Sequence, residues 1–265
     1  MPLLNTTFTA FRTAASGTES GASSIASVNA NDNCGIVFTN LPSSQDPQVH
    51  AVRLYLSMPN GSELFHIADV ATDSFTITAG RYDDANVLEL LFVSPAPAGR
   101  IIRHHNGRMF VADSVGNVFY SEPFQPDHFL LADNYLSFSA PADIMEPVSG
   151  GIFFAYGDRT DFYAGDVEAG FEVSNIFDYG AIFGTGARDE DSVMWQSQRG
   201  TIVGNTDGSA ENISKYAYPD TASSGAAVLK EHDGMKHFIA SLKSPSVSTL
   251  AARSFIDAEI IRRGE

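Results

Sequence analysis

A repeat of about 42 residues in the second half of the chain constrains the fold more than any other feature. Four segments align with one another: Arg100 to Ala112, Ala142 to Ala155, Gly186 to Trp195 and Ala227 to Ala240. Asn106-Gly107, Gly150-Gly151 and Asp233-Gly234 each precede an apolar run, and Asp191-Ser192 holds that place in the third segment. Dipeptides of this kind close two-residue hairpins. After the first three, another turn leads to Val118-Phe119-Tyr120, Asp161-Phe162-Tyr163 and Thr201-Ile202-Val203. A further polar turn then leads to Phe129, Phe171 and Ile213. The spacings agree: Met109 to Ile152 is 43, Ile152 to Val193 is 41, and Phe129, Phe171 and Ile213 are 42 apart. Short strands at this period read as units whose apolar sheet faces must stack on their neighbours. The expected fold class is all-β, with a propeller-like repeat over residues 99–244 whose fourth unit lacks a clear second hairpin. The competing reading is a meander whose hairpins recur by chance.

The rest of the chain divides around this repeat. Residues 33–98 read as a small β region and connector: Val52, Leu54 and Leu56 alternate with Arg53 and Tyr55, and Pro59-Asn60-Gly61 marks a turn. Residues 1–32 are rich in Thr, Ser, Ala, Gly and Asn and are expected to form an extended N-terminal arm. Phe8 and Phe11 are its candidate assembly contacts, inserted into a neighbouring subunit. Residues 245–265 are expected to close the repeat or dock on a partner. Val247, Leu250, Ala251, Phe255 and Ala258 suit a helical face, whereas Ile256, Ala258 and Ile260 alternate as a strand would. Phe255 and Ile256 are the candidate assembly contacts there.

Charge and residue chemistry narrow the function. With 32 Asp and Glu against 16 Lys and Arg, the formal charge is −16. That sign opposes binding by phosphate neutralisation, but would suit a wall along which DNA slides without sticking. No run of about 18 apolar residues predicts a membrane span, and the first seven residues lack the basic and apolar regions of a secretory signal. The single cysteine, Cys34, excludes an intrachain disulfide, and a multi-thiolate metal site unless other chains contribute. Seven histidines occur without a metal-binding signature. His104 and His105 are consecutive in a strand and point to opposite faces, and His104 occupies the same turn position as His232. Asp189-Glu190-Asp191 is a carboxylate cluster, read as a solvated turn in preference to a cation site because it replaces the turn of its repeat unit. Asp207-Gly208-Ser209 faintly resembles the aspartate-box turn of sialidases, but it does not recur. No nucleophile elbow, phosphate loop or dinucleotide fingerprint appears. The sequence therefore predicts no catalytic residue, no cofactor and no metal, and a protein that is not an enzyme.

Gly107-Arg108-Met109-Phe110-Val111-Ala112, followed by Val118-Phe119-Tyr120-Ser121-Glu122-Pro123-Phe124, resembles a strand motif of bacteriophage virion proteins. Val148 to Phe153, Asp178 to Ala181 and Ala227 to Gly234 extend the resemblance. Val52-Arg53-Leu54-Tyr55 with Asn60-Gly61 is similar to the fibronectin-type-III-like strand pair that precedes the motif in such proteins. The resemblance spans residues 33–242. It implies a structural component of the virion tail (nozzle, tube or adaptor-associated ring), made in the bacterial host cytoplasm and bordering the DNA-ejection conduit. Its partners would be further copies in a ring of about six or twelve, other tail or adaptor proteins, and DNA that passes without specific binding. The alternative is a carbohydrate- or receptor-binding module on the virion surface, using Tyr120, Tyr163, Tyr179 or Trp195. A glycoside hydrolase ranks behind both.

Overall fold

The computed structural model describes residues 3–12, 19–29, 35–77, 86–89, 92–189, 192–214, 222–232 and 235–243. Among them every regular element is a strand, as the sequence leads one to expect. The chain forms two compact units: residues 1–97 with 125–134, and residues 98–124 with 135–265.

The first unit holds two antiparallel sheets. One has the order β2 (Ala26–Asn29), β1 (Leu3–Arg12), β4 (Val49–Ser57), β5 (Leu64–Val70), and the other pairs β3 (Ile36–Thr39) with β6 (Ser74–Ile77). Alternation in β4 serves two environments. Val52 and Leu54 join Leu41 and Val70 in a core that Phe38 and Phe75 of the smaller sheet also pack against. Arg53 and Tyr55 turn to the opposite side, where both bond Glu19. The expected N-terminal arm is corrected here: β1 lies inside the larger sheet, between β2 and β4. Its threonines favour a pleated strand, and buried Thr9 satisfies its hydroxyl by donating to Glu19 at 3.1 Å.

The second unit carries the repeat. Its first sheet runs β7 (Ile101–His105), β8 (Arg108–Ala112), β9 (Asn117–Glu122), with β11 (Tyr135–Ser137) antiparallel to β9. Between β9 and β11 the chain passes through β10 (Gln125–Phe129), which belongs to the first unit. The second sheet runs β12 (Ala142–Val148), β13 (Gly151–Tyr156), β14 (Arg159–Ala164), β15 (Glu172–Phe177). The third runs β16 (Ala187–Arg188), β17 (Ser192–Ser197), β18 (Gly200–Asn205), β19 (Ala210–Asn212). The fourth is the hairpin β20 (Ser224–His232), β21 (Met235–Lys243). The second strands begin at Arg108, Gly151, Ser192 and Met235, so the strands themselves repeat at the spacing of the sequence pattern. Asn106 and Gly107 both have positive φ, 46° and 76°, as the two-residue turn joining β7 to β8 requires.

The faces of the sheets explain the order. β13 is buried along its whole length. Ile152, Phe154 and Tyr156 enter a core with Phe110, Val118 and Phe138 of the first sheet and its flank. Phe153 and Ala155, one position out of phase, enter a second core with Val193, Trp195 and Ile202 of the third sheet. A two-sided apolar strand of this kind is stable only between two neighbours.

Phe129, counted as equivalent to Phe171 and Ile213, ends β10, and within the first unit it exchanges backbone bonds with Ser94 at 2.8 and 2.9 Å.

Candidate functional site

The first strands of the four repeat sheets flank a trough in the second unit. One cavity of about 550 Å³ lies beside His104, Asn106, Ser149, Arg188 and Asp189. A second, of about 370 Å³, is lined by Ile102, Arg103, Glu146, Gly186, Arg188 and Val228. Residues from β7, β12, β16 and β20 thus meet at one place although they are spread over more than a hundred positions.

Two ion pairs bridge the trough between successive repeats. Arg103 donates through Nε to Glu146 Oε2 at 3.0 Å and through Nη2 to Oε1 at 2.5 Å. Arg100 Nη2 lies 3.6 Å from Asp143 Oδ1, while its guanidinium sits 3.8 Å above the Phe183 ring. Both pairs join positions 43 residues apart, the period of the repeat. The same position in adjacent sheets is therefore side by side, and opposite charges there meet. Glu146 is 1% exposed, whereas the Arg103 side chain keeps 30% of its surface in solvent. Gly186 closes the far side of the Glu146 carboxylate, for a Cβ at that position would stand 2.2 Å from Oε1. Hydrogen bonding to Glu146 raises the Arg103 pKa above its ordinary value, against the cost of burial. Burial pushes the Asp143 carboxyl up, and the longer contact with Arg100 offsets this only in part.

At one end of the trough His104 is exposed and His105 is buried. Burial lowers the His105 pKa, opposed by the Gly165 backbone and the charge of Asp166. Its Nε2 finds no hydrogen-bond partner among the described residues. Arg188 is exposed and has no carboxylate partner among the described residues, and Asp189 pairs with Lys236 at 2.7 Å. The arrangement is a set of charge clamps between sheets. Among the described residues no group of three His, Cys, Asp or Glu side chains is placed to hold a metal ion.

The residues singled out in the sequence fall as follows. Phe8 and Phe11 lie in β1, opposite Leu54 and Ala51 in the register with β4, and so form part of a sheet and not of a projecting arm. Phe255 and Ile256 lie outside the described residues, as do Cys34, Glu190 and Asp191. Asp207 accepts from the Ser209 amide at 2.9 Å and hydroxyl at 2.6 Å, a local turn. The four aromatics nominated for a carbohydrate surface are packed. Trp195 is fully buried against Phe153, and Tyr120 and Tyr163 flank the core of the first two sheets. Tyr179 stacks on Phe177 beneath the Arg199 guanidinium. Among the described residues the aromatics most open to solvent are Phe92 at 84% and Phe124 at 86%, neither of them nominated for such a surface. Phe124 also has φ of +59°, held by its amide bond to the Gly107 carbonyl.

The segments Gly107 to Ala112 and Val118 to Phe124 form a structural staple. Arg108 Nη1 donates to the Ser121 carbonyl at 2.7 Å, and the Met109 amide donates to Ser121 Oγ at 3.0 Å. The two halves of the motif thus lock β8 to β9. The charge clamps, by contrast, went unnoticed in the sequence. Their signal was available in Arg100 and Arg103, each followed one period later by a carboxylate.

No family model and no curated protein matches the chain. Among solved structures, the crystal structure of BBS1N in complex with ARL6DN, soaked with lead, covers 84% of this chain and 67% of that chain. The two are 10% identical with a TM-score of 0.37, a likeness that decides neither fold nor function. No helix among the described residues is long and apolar enough to cross a membrane.

Proposed function

We propose that the chain is a non-enzymatic structural subunit of a bacteriophage virion, acting in the tail as part of a nozzle, tube or adaptor-associated ring. In this reading the second unit is an open propeller of four blades, and the two-sheet first unit is its fibronectin-like neighbour. The observation that carries the scaffold role is the pair of 43-residue charge clamps. They hold one sheet against the next across the trough, which makes geometry the product. The phage assignment rests on the resemblance of Gly107 to Ala112 and Val118 to Phe124, whose residues form the Arg108–Ser121 staple. The formal charge of −16 suits a subunit that borders DNA without binding it. The carbohydrate-binding alternative loses ground because Trp195 is in the core.

Native mass spectrometry and negative-stain imaging of the purified chain test the proposal. It requires closed rings, of about six or twelve copies if the subunit assembles as cyclic tail rings do. A monomer at all accessible concentrations, including mixtures with tail proteins, would refute it.

A further inference from the structure

One cation in the trough of the second unit is left without an acid. The series of positions that gives the Arg103–Glu146 clamp continues at Arg188, 42 residues after Glu146, and at Lys230, 42 residues further on. Glu146 is already held by two donors of the Arg103 guanidinium, and the corresponding place in β20 holds a second cation. Asp189, next to Arg188 in sequence, is engaged elsewhere. Its Oδ1 accepts the Ser192 amide at 2.9 Å and hydroxyl at 3.2 Å, and its Oδ2 lies 2.7 Å from Lys236 Nζ. Arg188 itself is exposed and makes no ion pair among the described residues.

The cavity of about 550 Å³ beside Arg188 is bordered by four further polar side chains, His104, His105, Asn106 and Ser149. His104, Asn106 and Ser149 are open to solvent. His105 is 6% exposed, and its Nε2 has no hydrogen-bond partner among the described residues. Burial favours the neutral ring, and the bond to the Gly165 backbone is made through Nδ1–H, so Nε2 is an unused acceptor at the cavity wall. A space of that size holds a small molecule. The charge sets its class: one guanidinium matches one carboxylate through two parallel hydrogen bonds, whereas a chain of −16 repels polyanions. The uncharged amide, hydroxyl and imidazole groups match hydroxyls on the same molecule.

We propose that this end of the trough binds a small hydroxylated carboxylate, the chemistry of a sugar acid. Arg188 holds the carboxylate, and His104, Asn106 and Ser149 hold the hydroxyls. The site goes beyond the scaffold role and does not depend on the virion assignment.

Calorimetric titration of the full chain with glucuronate, acetate and glucose at low ionic strength tests the site. Glucuronate should bind saturably and about tenfold or more tighter than acetate, which lacks the hydroxyls, or glucose, which lacks the charge. Arg188→Gln should weaken glucuronate about tenfold or more, and Arg188→Lys should fall between, because it keeps the charge without the planar fork. Arg199→Gln removes the same charge outside the trough and should leave binding unchanged. Trp195 emission checks that each variant is folded. No saturable binding, or equal binding by the Arg188→Gln chain, would overturn the proposal. Tighter binding of inorganic phosphate than of glucuronate would overturn the carboxylate assignment. Binding that arises only in the variant Glu190→Gln with Asp191→Asn would assign Arg188 to the chain's own acids and overturn the site. Glucuronate binding by a chain that forms no rings would count against the virion role alone.

Discussion

Replacing Arg103 by methionine removes one half of a clamp whose other half cannot escape to water. Glu146 is 1% exposed, and its carboxylate is enclosed by Arg103 on one side and Gly186 on the other. Breaking a buried ion pair by deleting one partner costs about 3–5 kcal/mol, because a charge is left without compensation. The Arg103 side chain retains 30% of its exposure, so solvent already screens part of the pair. The lower end, about 3 kcal/mol, is therefore expected. Urea unfolding followed through Trp195 reads this directly, since Trp195 is the only tryptophan and lies in the third repeat sheet. With a urea slope of about 2 kcal/mol per molar, the midpoint should fall by about 1.5 M. The double variant Arg103→Met with Glu146→Met removes both charges and should recover to within about 1 kcal/mol of the parent. A single variant costing less than about 1 kcal/mol, or a double variant as unstable as the single, would refute the clamp.

Three further outcomes follow from the same structure. Gly186→Ala drives a Cβ to 2.2 Å from Glu146 Oε1 and should cost about 1–3 kcal/mol, less when Glu146→Ala has already vacated the space, as paired urea midpoints would reveal. The folded state holds the His105 pKa below its unfolded value of 6.5, so its contribution is complete above that value and is lost as pH falls through the folded pKa. The urea midpoint should accordingly drop between about pH 7 and 5, and His105→Gln should flatten that drop; parallel profiles would exclude His105 as a source. Asp113 Oδ1 accepts the amides of Val115, Gly116 and Asn117, each at 2.8 Å, so Asp113→Ala should cost about 1–2 kcal/mol in thermal or urea unfolding and Asp113→Asn less.

The repeat was legible because its turns are written in the sequence: Asn106-Gly107 needs left-handed backbone, and the strand after it is apolar. The N-terminal strand was not, because a strand can be built from threonines, and the composition of residues 1–32 resembles a linker. What makes β1 a strand is its pairing with β4, a contact between residues 37 to 50 positions apart. In the trough, Glu146 is a charge within the apolar run Ile144-Met145-Glu146-Pro147-Val148, yet only the meeting of first strands shows which cation it needs. The aromatics failed as surface candidates because tyrosine and tryptophan serve cores as readily as ligands, and nothing local to Trp195 distinguishes the two.

The charge clamps also bear on how such an array can arise. Tandem duplication of one unit gives neighbours with the same residue at every equivalent position, so that arginine would face arginine across each junction. Arg100 with Asp143, and Arg103 with Glu146, require neighbours that have already diverged. Once that divergence is established, neither of the first two units can be copied beside itself without placing like charges together. The first junction of this array therefore accepts only unlike units side by side.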